Sequence, residues 1–244
     1  MKEQDFPGDI QYQLLEADEP DWEELKAHPD FSAQWALLFL KRQKAIGKEA
    51  LEAIAMDRDL IRHYRVVLAL VKHRSFPQTL FMRFAETLRW SDILVCLRLT
   101  WVSISSKTAL MSNLMQRFPF FTLGEKMAIA RKAPKILITR LRTESEIKVI
   151  QVLLKNPNFG HADALFLASA PSSSSRVLQL LAYSPKWTCH KDVRLALLRN
   201  GCTPHACYRS LLEGFTKAEL TNLKKDPRIP QFAKVLAGQL KGRT

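Results

Sequence analysis

The chain has 244 residues, 47% of them apolar, and a formal net charge of +13. That length holds one or two globular domains or one medium solenoid, with apolar content sufficient for a core. Eight glycines are few for an enzyme that cradles a nucleotide, and no apolar run approaches the roughly 18–20 residues needed to span a bilayer.

The charge is unevenly spread. Residues 1–30 hold ten acids and two lysines, net −8, whereas the remainder holds 35 basic and 14 acidic residues, net +21. A basic body of that size attracts polyanions and acidic protein surfaces. The four cysteines are sparse and irregularly spaced, as expected for reduced thiols. Met1-Lys2-Glu3-Gln4-Asp5 lacks the basic-then-apolar pattern of a secretory signal, so a cytoplasmic location is expected.

Residues 1–20 read as an acidic arm broken by Pro7-Gly8 and Glu19-Pro20, able to lie over the basic body as an internal competitor for a polyanion. Asp21-Trp22-Glu23-Glu24-Leu25 opens a first helix, with acids at the positive end of its dipole. A longer helix is predicted from Phe31 to Ile46, apolar over Trp35–Leu40 and closed by Lys41, Arg42 and Lys44, with Gly47 as its stop. Helices follow from about Lys48 to Met56 and from about Leu60 to Val71.

An internal duplication comes next. His63–Ile93 lies without a gap over His190–Leu220 at an offset of 127: His63 meets His190, Leu68-Ala69-Leu70 meets Leu195-Ala196-Leu197, and Pro77 meets Pro204. One helix–turn–helix–turn–helix unit is therefore predicted twice. A second rhythm comes from Pro157, Pro171 and Pro185, 14 residues apart, each preceded by an apolar run. Helices of about ten residues joined by about four fit it, giving a repeat of about 28 residues. The runs are rich in Leu and Ala and show no alternation of period two, which argues against strands. Within the stretch His190–Pro204, Val193, Ala196 and Leu197 share one helical face, and Asn200-Gly201 is expected to close the helix in the left-handed conformation. The final unit runs from Phe215 to Leu240, and residues 241–244 are expected to fray.

Helices this short are marginal alone in water and form because neighbours cover both apolar faces. The expected fold is all-α: a right-handed α-solenoid of about seven to eight short helix pairs, in a single domain over residues 21–240.

Asp192-Val193-Arg194-Leu195-Ala196-Leu197-Leu198-Arg199-Asn200, Cys202-Thr203-Pro204, Lys225-Asp226-Pro227-Arg228-Ile229-Pro230 and Leu154-Lys155-Asn156-Pro157 resemble bacterial HEAT-like repeats, and most of all the leucine-rich-repeat-variant type. The resemblance covers about residues 145–240 and, more faintly, 60–100. It implies a binding solenoid and not catalysis, because such families serve many roles. Some members of the variant group carry an iron–sulfur cluster on a cysteine-rich N-terminal segment. Residues 1–95 here contain no cysteine, so no cofactor is expected.

Arg131-Lys132-Ala133-Pro134-Lys135-Ile136-Leu137-Ile138-Thr139-Arg140-Leu141-Arg142 is the densest basic stretch, with Arg131, Lys132, Lys135, Arg140 and Arg142 as candidate contacts for phosphates or acidic side chains. A solvated helix edge is the alternative. Lys41, Arg42, Lys44 and Lys48 form a second candidate set. Cys189, His190, Cys202, His205 and Cys207 are the densest group of soft ligands, but a ten-residue helix holds Cys189 and Cys202 about 15 Å apart, so no metal site is expected. Pro171-Ser172-Ser173-Ser174-Ser175-Arg176 leads into a helix, where one serine is expected as N-cap and phosphate binding is the alternative. Arg117-Phe118-Pro119-Phe120-Phe121 reads as a loop whose rings fill a gap, with base stacking as the alternative. No set of residues meets the geometric demands of a reaction. The expectation is a non-catalytic scaffold presenting a basic surface to an acidic protein partner, with nucleic acid as the alternative partner, and without a membrane or small-molecule substrate.

Overall fold

Every regular element among the described residues, 22–42 and 46–241 of a computed structural model, is helical: seventeen α-helices and three 3-10 turns. The acidic arm 1–20, Lys44 and residues 242–244 lie outside the described residues. The chain divides into two compact units, Met1–Pro119 and Phe120–Thr244. The first holds α1 (Trp22–Ala27), α2 (Ala33–Arg42), α3 (Lys48–Met56), α4 (Tyr64–Lys72), α5 (Gln78–Ala85), α6 (Trp90–Cys96) and α7 (Ile104–Arg117). The second holds α8 (Leu123–Lys132), α9 (Lys135–Leu141), α10 (Ile147–Leu153), α11 (His161–Ser169), α12 (Ser175–Ala182), α13 (Pro185–Thr188), α14 (Lys191–Arg199), α15 (Tyr208–Leu212), α16 (Lys217–Lys225) and α17 (Gln231–Lys241).

Each helix is too short to persist alone and is held by its partners. In the first unit α2 packs on α4, α4 on α6 and α5 on α7; in the second α8 packs on α10, α10 on α12, and α11 on α14. A helix thus touches its next-but-one neighbour as well as the next, or, where the four-residue α13 intervenes, the one beyond it. Helix α4 shows the cause: Val66, Val67, Leu70 and Val71 are buried on one side. Each such side chain contributes about 1.5–3 kcal/mol when fully covered.

The duplicated blocks adopt matching helices. Helix α4 begins and ends 127 residues before α14, Gln78 and Ala85 align with the 3-10 turn and helix spanning His205–Leu212, and α6 and α16 start in register. Two local expectations fail. Residues 60–71 do not form one helix: a 3-10 turn at Leu60–Arg62 ends at His63, which takes an extended conformation before α4. Nor does Asn200-Gly201 adopt the left-handed conformation. Asn200 is extended, at φ −82 and ψ 113, and among the described residues the one positive φ belongs to Gly214. Gly47, expected as a stop, is instead the N-cap of α3 at an ordinary φ of −56.

The physical reason is that side chains end these helices. Asn200 Oδ1 accepts the Cys202 N–H at 3.1 Å, and the same two-residue turn recurs at Asp57, Asn156 and Asp226, with imidazole Nδ1 in that role at His28 and His73. An acceptor that closes the turn removes the need for a left-handed residue. At Gly214 the chain does need one. Its φ is +82, and Arg194 Nη1 lies 3.1 Å from where a Cβ would stand while donating to the Glu213 carbonyl at 2.6 Å.

Polar contacts between successive units of chain follow the 28-residue step. Tyr64 donates to Asp92, Ser106 to Gln78, Lys135 to Asp163 and Lys191 to Glu219, each pair 28 residues apart. Arg199 reaches Asp226 across 27 residues, at 2.6 Å. In each lysine pair the cation stands at the start of one helix and its carboxylate in the first turn of the helix one step on, where the dipole also favours negative charge.

These contacts predict acid sensitivity. The Lys191 ammonium and the Thr216 cap hold Glu219 down to about 2; the Arg228 amide, with Arg199 and Arg228 side chains, holds Asp226 down to about 2. Unfolded carboxyls titrate near 4. Because the folded values are depressed, the stabilisation is complete above about pH 5 and is lost as pH falls toward 2. A Glu219→Gln/Asp226→Asn double variant should show a flatter stability–pH curve over that window, read by urea denaturation. A curve parallel to that of the parent would contradict the assignment.

Candidate functional site

The outward side of α4 faces α2 across an open groove in the first unit. Burial of Val66, Val67, Leu70 and Val71 on one side places Arg65, Leu68, Ala69 and Lys72 on the other. Leu37 and Leu40 of α2 complete an apolar floor, and Trp101, 38% exposed, closes one end. The cavity measures about 570 Å³. Its polar margin carries Lys41, Arg65, Lys72, Arg74 and His73, and no acid among the described residues lines it. A second cavity of about 980 Å³ adjoins it, sharing Leu37, Arg65 and Leu68 and adding His63, Tyr64, Arg89 and Asp92.

The cations differ in what already holds them. Lys72 lies 3.9 Å from Asp92, and Arg89 lies over the Tyr64 ring at 4.7 Å. The Tyr64 hydroxyl donates to Asp92 and accepts the Arg89 N–H; burial, then Asp92, pushes the phenol up. Lys41, Arg65 and Arg74 are exposed and pair with no carboxylate among the described residues. The groove therefore combines an apolar strip with positive charge that no carboxylate among the described residues neutralises, which suits a ligand that carries both apolar and anionic groups.

The basic stretch of 131–142 is divided by the fold. Lys135 and Arg142 share one face, as their spacing suggests, and both reach Asp163, a carboxylate only 2% exposed, Arg142 from a half-buried position and Lys135 from an exposed one. Arg142 also stacks over Phe166 at 3.6 Å. These two cations tie both ends of α9 to the start of α11, whereas Arg131, Lys132 and Arg140 stand exposed at the ends of α8 and α9. Arg42, at the last described turn of α2, is exposed near Lys41.

Among the other candidates, Ser174 is the N-cap of α12, its Oγ accepting the Val177 N–H, and Ser173 donates to the Leu167 carbonyl. Phe118 is buried in a 3-10 turn, but Phe120 is 89% exposed and fills no gap among the described residues. The soft-ligand group separates: Cys207 is buried, Cys189 and Cys202 are exposed, and His205 stacks on Phe232. Burial raises the Cys207 thiol and pushes Cys96 up to about 11, far from the range of a reactive thiolate.

The fold brings His190 instead to His161 and Asp192. His161 Nε2 lies 2.7 Å from Asp192 Oδ2, the two imidazole centroids are 4.5 Å apart, and one ligand atom from each of the three residues falls within 4.8 Å of the others. Sequence reasoning missed His161 because it stands one repeat step earlier. The 28-residue period, read as a rule for which helix starts are adjacent, is the signal that could have found it.

No helix among the described residues is long and apolar enough to cross a membrane. Compared with protein-family models, curated proteins and solved structures, the chain matches none.

Proposed function

We propose that the protein is a non-catalytic binding scaffold, built from HEAT-like helix pairs in right-handed solenoid array, whose first unit holds an extended acidic segment of a partner protein in the α2–α4 groove. The observation that carries this reading is the pairing of an apolar floor, Leu37, Leu40, Leu68 and Ala69, with Lys41, Arg65 and Arg74, for which no carboxylate partner is found among the described residues. An acidic peptide with leucine or phenylalanine at intervals meets both demands: its apolar side chains leave water and its carboxylates meet cations near a low-dielectric wall. The next-but-one helix packing and the 28-residue contacts support the solenoid arrangement.

A nucleic-acid backbone satisfies the cations but leaves the leucine floor without a partner, and in the second unit Lys135, Arg142, Lys191 and Arg199 are already held by carboxylates. The test is fluorescence anisotropy of the full chain with a labelled peptide of alternating Glu and Leu. Reversing Lys41 and Arg65 to glutamate together should weaken binding by about tenfold or more, since like charges then face each other. Replacing the peptide's leucines by serine should also weaken it. Equal binding of the serine peptide, or stronger binding of a single-stranded oligonucleotide at physiological salt, would overturn the reading.

A further inference from the structure

We propose that His161, His190 and Asp192 form a site for one divalent transition-metal ion of the zinc class, tying the start of α11 to the start of α14. His161 and Asp192 come from two helices that pack directly on each other, His190 is the N-cap residue of the second, and the ligand atoms of the three already lie within 4.8 Å of one another. A tetrahedral ion at about 2.0–2.1 Å from each ligand needs them about 3.4 Å apart. The widest separation must therefore close by up to about 1.4 Å, while the 2.7 Å His161–Asp192 pair opens slightly to admit the ion. His161 and Asp192 are both exposed, so rotation of the side chains supplies it without moving a packed helix.

The donor set selects the metal. Two imidazoles and one carboxylate suit zinc, nickel, copper or cobalt; magnesium and calcium prefer oxygen alone. Three protein ligands leave one coordination position open to water. Elsewhere in the second unit the equivalent link between helix starts is an ion pair, Lys135–Asp163 or Lys191–Glu219. At this step a histidine takes the place of the lysine. His161 reaches Asp192, and His190, directly before α14, adds a second nitrogen. A lysine ammonium cannot ligate a metal at neutral pH, whereas a neutral imidazole can. This step alone of the three therefore has metal-binding chemistry.

The test uses the full chain in a Cys189→Ser/Cys202→Ser background, because both exposed thiols would otherwise compete for the ion. Isothermal titration with zinc should show one equivalent bound. His161→Ala, His190→Ala and Asp192→Asn should each weaken that binding by about tenfold or more, since loss even of outer-shell partners costs 10–100-fold. Excess zinc should also raise the melting temperature of the parent and leave that of His190→Ala unchanged, because only an ion bound to the folded state stabilises it. Absence of saturable binding at 100-fold excess over protein would overturn the proposal, as would binding that all three variants leave unaltered.

Discussion

Replacing Asn156 by alanine is expected to lower the stability of the second unit by about 3 kcal/mol, measured by urea denaturation. Asn156 is 1% exposed and follows α10. Its Nδ2 donates into the end of α8, 2.7 Å from the Ala130 carbonyl and 3.1 Å from those of Arg131 and Ala133. Its Oδ1 accepts the Asn158 N–H at 2.7 Å. The last carbonyls of any helix lack partners within it. One side chain thus satisfies the end of one helix while closing the turn after another. Truncation strands buried acceptors, each worth about 1–3 kcal/mol, and breaks the turn as well. The control is Asn156→Asp: it keeps the turn acceptor but sets a buried carboxylate against three carbonyl oxygens, so its loss should equal or exceed that of alanine. A loss below about 1 kcal/mol for Asn156→Ala would show that water replaces the amide and would refute this account.

The second large effect is expected at Asp163. Its buried carboxylate takes the Lys135 ammonium, the Arg142 guanidinium at 3.4 Å and the Gly160 N–H at 3.0 Å, joining α9, the residue after it and the start of α11. Asp163→Asn keeps the shape and removes the charge. Breaking a buried pair costs about 3–5 kcal/mol. Lys135 is 58% exposed in its side chain, and solvent screens its share, so the expected loss is about 2–3 kcal/mol. Because the carboxylate is inaccessible, the loss should persist in high salt, which separates it from a surface pair. A difference that vanishes at 1 M salt would place the interaction at the surface and contradict the burial argument.

These two residues also show how far the sequence could be read. The period of about 28 was visible from prolines 14 apart and from the duplicated block, because turn residues and apolar faces must recur wherever the same helix must stack. What the period means for Asn156 was not visible. The Leu154-Lys155-Asn156-Pro157 motif is punctuation in the sequence, and only in the fold does its amide meet a helix end 26 residues back. The basic stretch was legible as composition and misleading as a surface. Lys135 and Arg142 share a face as spacing requires, but that face meets a carboxylate 28 and 21 residues away. The left-handed closure expected at Asn200-Gly201 gave way for a related reason. The asparagine side chain makes the turn itself, and its Nδ2 is held by the carbonyls of Ala168 and Ala170.

The groove was only half legible. Lys41 belongs to a cationic cluster in the sequence, yet Arg65 and Arg74, in and just after α4, and Trp101, beyond α6, carry no motif shared with it. By itself the sequence determined that the chain is helical, that its helices are short and recur at about 28 residues, and which residues of several of them form the apolar side, because those follow from local propensity and from patterns within a dozen residues. The tertiary structure alone decided which cations meet a carboxylate among the described residues, and that His161 stands beside His190. Those outcomes depend on distances between helices a full repeat apart, and side-chain chemistry read one segment at a time contains no such distance.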